Sequence, residues 1–191
     1  MPSKTPPIFH HRLGLVLAVA GLILLALSLG QYGFMFWRQH QLRQAWHAQL
    51  ASPPVHSAAA DSAPRLLKLV IPRIELDDVV VNGTGYTSLL EGPGWMRSSA
   101  PPGRGNTVIA GHRDTFFRGV HKLRPGDILR LEQGQRSFRY QVVTRRIVRP
   151  SDTAWLAPTP QPALTLVTCY PTYWIGPAPK RLIVQARLLS K

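Results

Sequence analysis

Two hydrophobic patterns divide the chain. From Leu13 to Trp37, 25 consecutive residues carry no charge. As a helix such a run extends roughly 37 Å at about 1.5 Å per residue, enough to cross a hydrocarbon core of about 30 Å. The pattern predicts a transmembrane helix over residues 13–37. A cleaved signal peptide is the competing reading, but its apolar region is about 7–15 residues long and ends at a small-residue site. Tyr32, Phe34, Phe36 and Trp37 gather at the C-terminal end of the run, where aromatic rings meet headgroups.

Beyond it, Leu42, Trp46 and Leu50 recur every four residues, so the helix is expected to continue over Arg38–Leu50 as a juxtamembrane spacer. Residues 51–64 are rich in proline, alanine and serine and read as a flexible linker. The span 38–64 is therefore spacer and linker, with a folded domain over residues 65–191.

Within that domain short β-runs alternate with proline and glycine punctuation: Leu66–Ile71, Val79–Val81, Asn106–Gly111, Ile128–Leu131, Phe138–Val148, Leu164–Cys169 and Leu182–Leu188. Brief helical turns are expected at Ser88–Leu90 and Thr115–Val120. The domain is all-β and predominantly antiparallel, and periodicity leaves both a sandwich and a closed barrel open.

Charge adds one question. Lys and Arg number 23 against 9 acidic residues, which brings nucleic acid or an anionic membrane surface into view. The basic residues are scattered and not interleaved with aromatics along a strand, so no nucleic-acid partner is expected. No Cys/His cluster has zinc spacing, and the adjacent pair Asp77-Asp78 is too little for a calcium cage. No metal or other cofactor is expected.

The only cysteine, Cys169, closes the run Leu164-Thr-Leu-Val-Thr-Cys-Tyr170. Strand alternation puts Leu164, Leu166 and Thr168 on one face and Thr165, Val167 and Cys169 on the other. Pro171 then ends the ladder, so the thiol stands at a strand terminus where a loop opens. A small buried hydrophobe is the plain alternative for a lone cysteine. As a nucleophile it needs a neighbouring imidazole. Five of the seven histidines precede the β-rich region, which leaves His112, at the end of the apolar run 107–110, and His121, in a polar turn.

Thr-Leu-Val-Thr-Cys resembles the Thr-Leu-x-Thr-Cys signature of the sortases, membrane-anchored cysteine transpeptidases. Ala110-Gly111-His112-Arg113 and Lys180-Arg181-Leu182-Ile183-Val184 supply, in order, the histidine and arginine motifs that the resemblance requires. It covers about Leu66 to Leu189 and is nearest to compact proteobacterial sortases similar to classes D and E. It implies a closed antiparallel β-barrel with short helical turns behind one N-terminal transmembrane helix. Residues 1–12 would lie in the cytoplasm and the catalytic domain on the extracytoplasmic, periplasmic side of the cell membrane. Cys169, His112 and Arg181 are the implied catalytic residues, and Thr165, Val167, Thr168 and Ile183 the expected substrate contacts. Asp114 is a lesser candidate for orienting the imidazole. The implied partners are a secreted protein with a C-terminal Leu-Pro-x-Thr-Gly-like sorting signal and an amine acceptor.

Arg181 and Lys180 compete for the role of stabilising the oxyanion. Alternation puts Lys180 with Leu182, Val184, Ala186 and Leu188, and Arg181 on the opposite face with Ile183 and Gln185, the face that Cys169 shares if the two strands are neighbours. Two other functions remain open. One is a cysteine peptidase, amidase or L,D-transpeptidase, the last without its Ser-His-Gly-Cys arrangement here. The other is a membrane-tethered basic barrel in which Cys169 is incidental.

Overall fold

The structure, a computed structural model, describes residues 7–51 and 66–189, with side chains from residue 12. The expected linker lies outside them except for Ala51. Two compact units emerge, one ending at Arg38 and one spanning Gln39–Lys191.

Helix α1 runs Pro7–Ala51. In the first unit it is long and apolar enough to cross a membrane, and its leucines are exposed. The expected continuation past Arg38 is present, but it is no spacer. Gln39 and Trp46 are buried in the second unit, at 5% and 2% exposure. The Gln39 amide pairs with β-strand backbone as another strand would: Oε1 accepts from Val79 N–H at 3.1 Å, while Nε2 donates to Val79 O at 3.1 Å and to Glu91 O at 2.8 Å. Gly92 makes room, since a Cβ there would stand 2.5 Å from that Nε2. Arg43 bonds the Asp77 carbonyl and Asp78 Oδ1, and Gln49 Oε1 accepts from Leu66 N–H. The compact unit that holds the barrel therefore begins at Gln39 and includes the end of α1.

Eight strands follow: β1 Leu67–Ile71, β2 Leu76–Asn82, β3 Gly94–Trp95, β4 Asn106–Gly111, β5 Ile128–Gln133, β6 Arg136–Val148, β7 Ala163–Tyr170 and β8 Lys180–Leu188. They close into a barrel in the order β1-β2-β3-β4-β7-β8-β6-β5, the architecture the resemblance implied. Pairing is antiparallel except at β2–β3 and β4–β7. The expected turn at Ser88–Leu90 is part of a longer helix α2, Tyr86–Glu91, and the second, Thr115–Val120, is a run of hydrogen-bonded turns that leads into a 3-10 turn at Val120–Lys122.

The interior follows the period-two rule. Leu164 and Leu166 of β7 and Leu182, Val184 and Ala186 of β8 join Leu69, Ile71, Ile109, Leu129, Leu131 and Tyr140 in one buried cluster. Removing that apolar area from water, at about 25 cal/mol per Å², is the main force closing the barrel. Gly111 ends β4 against Phe117: a Cβ there would meet the ring 2.6 Å away.

Candidate active site

Strand register assembles the outer face. In β4–β7, Ala110 pairs with Val167 and Gly111 with Thr168, so His112, the next residue, stands beside Cys169. In β7–β8, Cys169 pairs with Arg181 and Val167 with Ile183. His112, Cys169 and Arg181 thus form one row across three neighbouring strands. Val167 and Ile183 form the next row on the same face, since both alternate with residues of the core cluster. The alternation predicted for both strands holds. Lys180 pairs with Tyr170 and is exposed.

Each member of the row has a local reason for its place. Cys169 is a free, half-buried thiol, delivered by a strand whose inward leucines fix its phase. His112 leaves β4 where Gly111 lies under Phe117, and Phe117 N–H donates back to His112 O at 3.0 Å. Its Nε2 is buried and has no hydrogen-bond partner among the described residues. An imidazole nitrogen left without a partner is costly to bury. The Tyr86 ring stands edge-on to it, with centroids 5.9 Å apart. Arg181 Nη1 donates to Ala178 O at 3.2 Å and Lys180 O at 3.0 Å. Its other donors make no hydrogen bond among the described residues.

The remaining expected residues divide. Val167 is half-buried and Ile183 buried on the face of the row. Thr165 and Thr168 are buried with their hydroxyls spent inside the domain: Thr165 Oγ1 donates to Asn106 Oδ1 at 2.7 Å, and Thr168 Oγ1 to Gly111 O at 2.8 Å. In these positions they brace β7 against β4, below the surface a substrate would touch. Asp114 is exposed and makes no hydrogen bond to the imidazole among the described residues. His121 lies elsewhere, its Nδ1 2.7 Å from Arg118 O.

The sortase domain model matches residues 69–189, well over half of the 191-residue chain. The chain belongs to the sortase family. Sortase D of Bacillus subtilis is 38% identical over 124 residues, 64% of this chain and 63% of that relative. Sortase A of Listeria monocytogenes is 29% identical over 105 residues, 53% of this chain and 47% of that one. The chain thus spans less than two thirds of these curated relatives. Among solved structures, a Clostridium perfringens sortase D transpeptidase superposes with a TM-score of 0.72 at 23% identity, covering 80% of this chain and 99% of that one, a likeness of fold. A Streptomyces avermitilis sortase E variant matches with a TM-score of 0.58 at 33% identity, covering 66% and 88% of the two chains.

Sequence reading passed over three participants. Arg113 beside the histidine, Tyr86 over its ring, and Asn106, whose Nδ2 holds the carbonyls of Trp155 and Ala157 at 3.0 Å each, all looked like ordinary loop or strand-end residues. The one usable signal was Arg113, a cation fixed within the histidine motif itself.

Proposed function

We propose that this sortase is a membrane-anchored cysteine transpeptidase, and the alignment of His112, Cys169 and Arg181 in one row is the observation that supports the reading. The Cys169 thiolate attacks the carbonyl carbon after the threonine of a Leu-Pro-x-Thr-Gly-like sorting signal. Negative charge moves to the carbonyl oxygen, where the unspent donors of the Arg181 fork stabilise it. The carbon–nitrogen bond breaks, and the leaving amine takes a proton from the His112 imidazolium. A thioester to Cys169 remains. An incoming amine then gives a proton to His112, attacks the thioester and expels the thiolate, restoring the starting state. Val167, half-buried beside the sulfur, offers apolar contact to the signal, with Ile183 packed beneath it.

Residues 13–37 anchor the enzyme, with residues 39–191 as the catalytic domain on the extracytoplasmic side. Because Cys169 is the sole thiol, a membrane-impermeant maleimide tests the side directly. Labelling of intact spheroplasts is expected, and labelling only after lysis would place the domain in the cytoplasm.

The chemistry is tested by incubating the full chain in detergent with a sorting-signal peptide and following intact mass. A thioacyl adduct is expected on the wild type and none on Cys169→Ala, which should not turn over. Turnover by Cys169→Ala would overturn the mechanism. Arg181→Lys should lose at least ~10²-fold in rate, the scale of a lost oxyanion donor, while Lys180→Ala loses little. A greater defect from Lys180→Ala would remove Arg181 from its role.

A further inference from the structure

The loop joining β7 to β8, residues 171–179, opens two residues after Cys169 and exposes Tyr173, Trp174 and Ile175 at its tip. It has no apolar interior to hold it. Its carbonyls are held instead by two arginines. Arg113, next to His112, donates from Nη1 to Pro171 O at 3.3 Å and from Nη2 to Trp174 O at 2.8 Å and Gly176 O at 2.9 Å. Arg181 holds the far end through Ala178 O and Lys180 O. Trp174 Nε1 closes the interval between them by donating to Pro177 O at 3.1 Å.

One guanidinium meeting three carbonyls of a single loop is a strong constraint, because each bond is charge-assisted and the planar fork fixes their directions together. Those carbonyls sit on the segment that goes on to present Ala178 and Lys180 to Arg181. We propose that Arg113 is a positioning residue: by clamping the β7–β8 loop it sets the carbonyl seat of Arg181, and so aims the Arg181 fork at the oxygen above Cys169. The proposal rests on the role given to Arg181 above. It gives a role to the cation that follows the histidine directly, since from the end of β4 it holds both the start and the tip of the loop.

The loop carries its own reporter, because chymotrypsin cleaves after exposed Tyr173 and Trp174 when the segment opens. The test uses the full chain in detergent, with Arg113→Ala, the bulkier Arg113→Gln as a second variant that keeps the site filled, Arg113→Lys, Arg181→Ala and the double variant. With the clamp gone, loop cleavage is expected to quicken at least ~10-fold, since charge-assisted bonds no longer oppose local opening, at an unchanged melting temperature. The kcat should fall at least ~10-fold, the scale of a misplaced catalytic group, with KM for the peptide little altered. Arg113→Lys should restore part of both. In the Arg181→Ala background, removing Arg113 should cost little more. Equal cleavage rates in wild type, Arg113→Ala and Arg113→Gln would overturn the clamp, and losses that multiply in the double variant would overturn its coupling to Arg181. If Arg181→Ala itself turns over normally, the functional assignment fails instead, while the cleavage rates still decide whether Arg113 holds the loop.

Discussion

Between Leu13 and Trp37, helix α1 exposes leucines on every side, as a helix meant for lipid does. Between Gln39 and Leu50 the same helix sets a stripe of Gln39, Leu42, Trp46 and Gln49–Leu50 toward the barrel. The first stretch is uniform and needs no particular partner. The second is specific, and its specificity comes from polar groups: two glutamines bond backbone at Val79, Glu91 and Leu66, and Trp46 is buried between them in sequence. Hydrophobicity alone marks where a helix meets lipid, whereas mixed polar and apolar placement marks where it meets a protein surface.

Truncation should break this comparison most severely. A fragment starting at Gln39 is expected to unfold cooperatively, while one starting at residue 65, the boundary expected from sequence, uncovers the seat of Trp46 and the Val79 backbone and should lose cooperativity or be recovered as aggregate. Equal denaturation midpoints for the two fragments would show that the docked helix is ornamental. Trp46→Ala in the longer fragment comes next, with about 3–5 kcal/mol lost for a large buried aromatic, read from urea unfolding. Gln39→Leu should cost roughly 1–3 kcal/mol although it adds an apolar side chain at a buried position, because it strands the Val79 N–H. A neutral result there would mean that strand backbone at Val79 finds water instead. As the control for the other half, Leu24→Ala should leave unfolding of the barrel unchanged.

Arg43 gives the smallest and most pH-dependent effect. Burial raises the Asp78 carboxyl above its ordinary value of 3.8, against the pull of the Arg43 guanidinium 3.1 Å away. With a raised pKa the folded state keeps a proton that the unfolded chain has released, so stability falls as pH climbs from near 3.8 to the folded value and is level above it. Arg43→Ala raises the carboxyl further and widens that window. The variant should lose under ~1 kcal/mol, with more of the loss at pH 7 than at pH 4.5. An equal loss at both would assign the effect to the Arg43 bond with the Asp77 carbonyl.

What could be read beforehand follows the same division. The apolar run, the phase of β7 and β8, and the motif residues His112, Cys169 and Arg181 were legible because period-two and length signals are local. The strand Gly94–Trp95 was not, since two residues carry no period. Nor were the parallel pairings β2–β3 and β4–β7, which depend on how the barrel closes and leave no mark on either strand. Gln39 and Gln49 leave no signal in a local pattern because their partners are backbone atoms 40 and 17 residues away. Thr165 and Thr168 flank the sulfur in sequence, yet their hydroxyls turned out to be consumed by Asn106 and Gly111.

The pairing of β4 with β7 also governs when the chain becomes chemically dangerous. Gly111 and Thr168 are ladder partners 57 residues apart, and contacts of that separation form late, because the intervening chain must first be closed into a loop. Until then the thiol has no imidazole at its side and no guanidinium aimed above it. A chain still being made therefore carries Cys169 without the two side chains that flank it in the fold, and the three meet only once the last strand has closed the wall. Closure of the barrel thus times the meeting of Cys169 with its two neighbours, and folding itself serves as the safety catch.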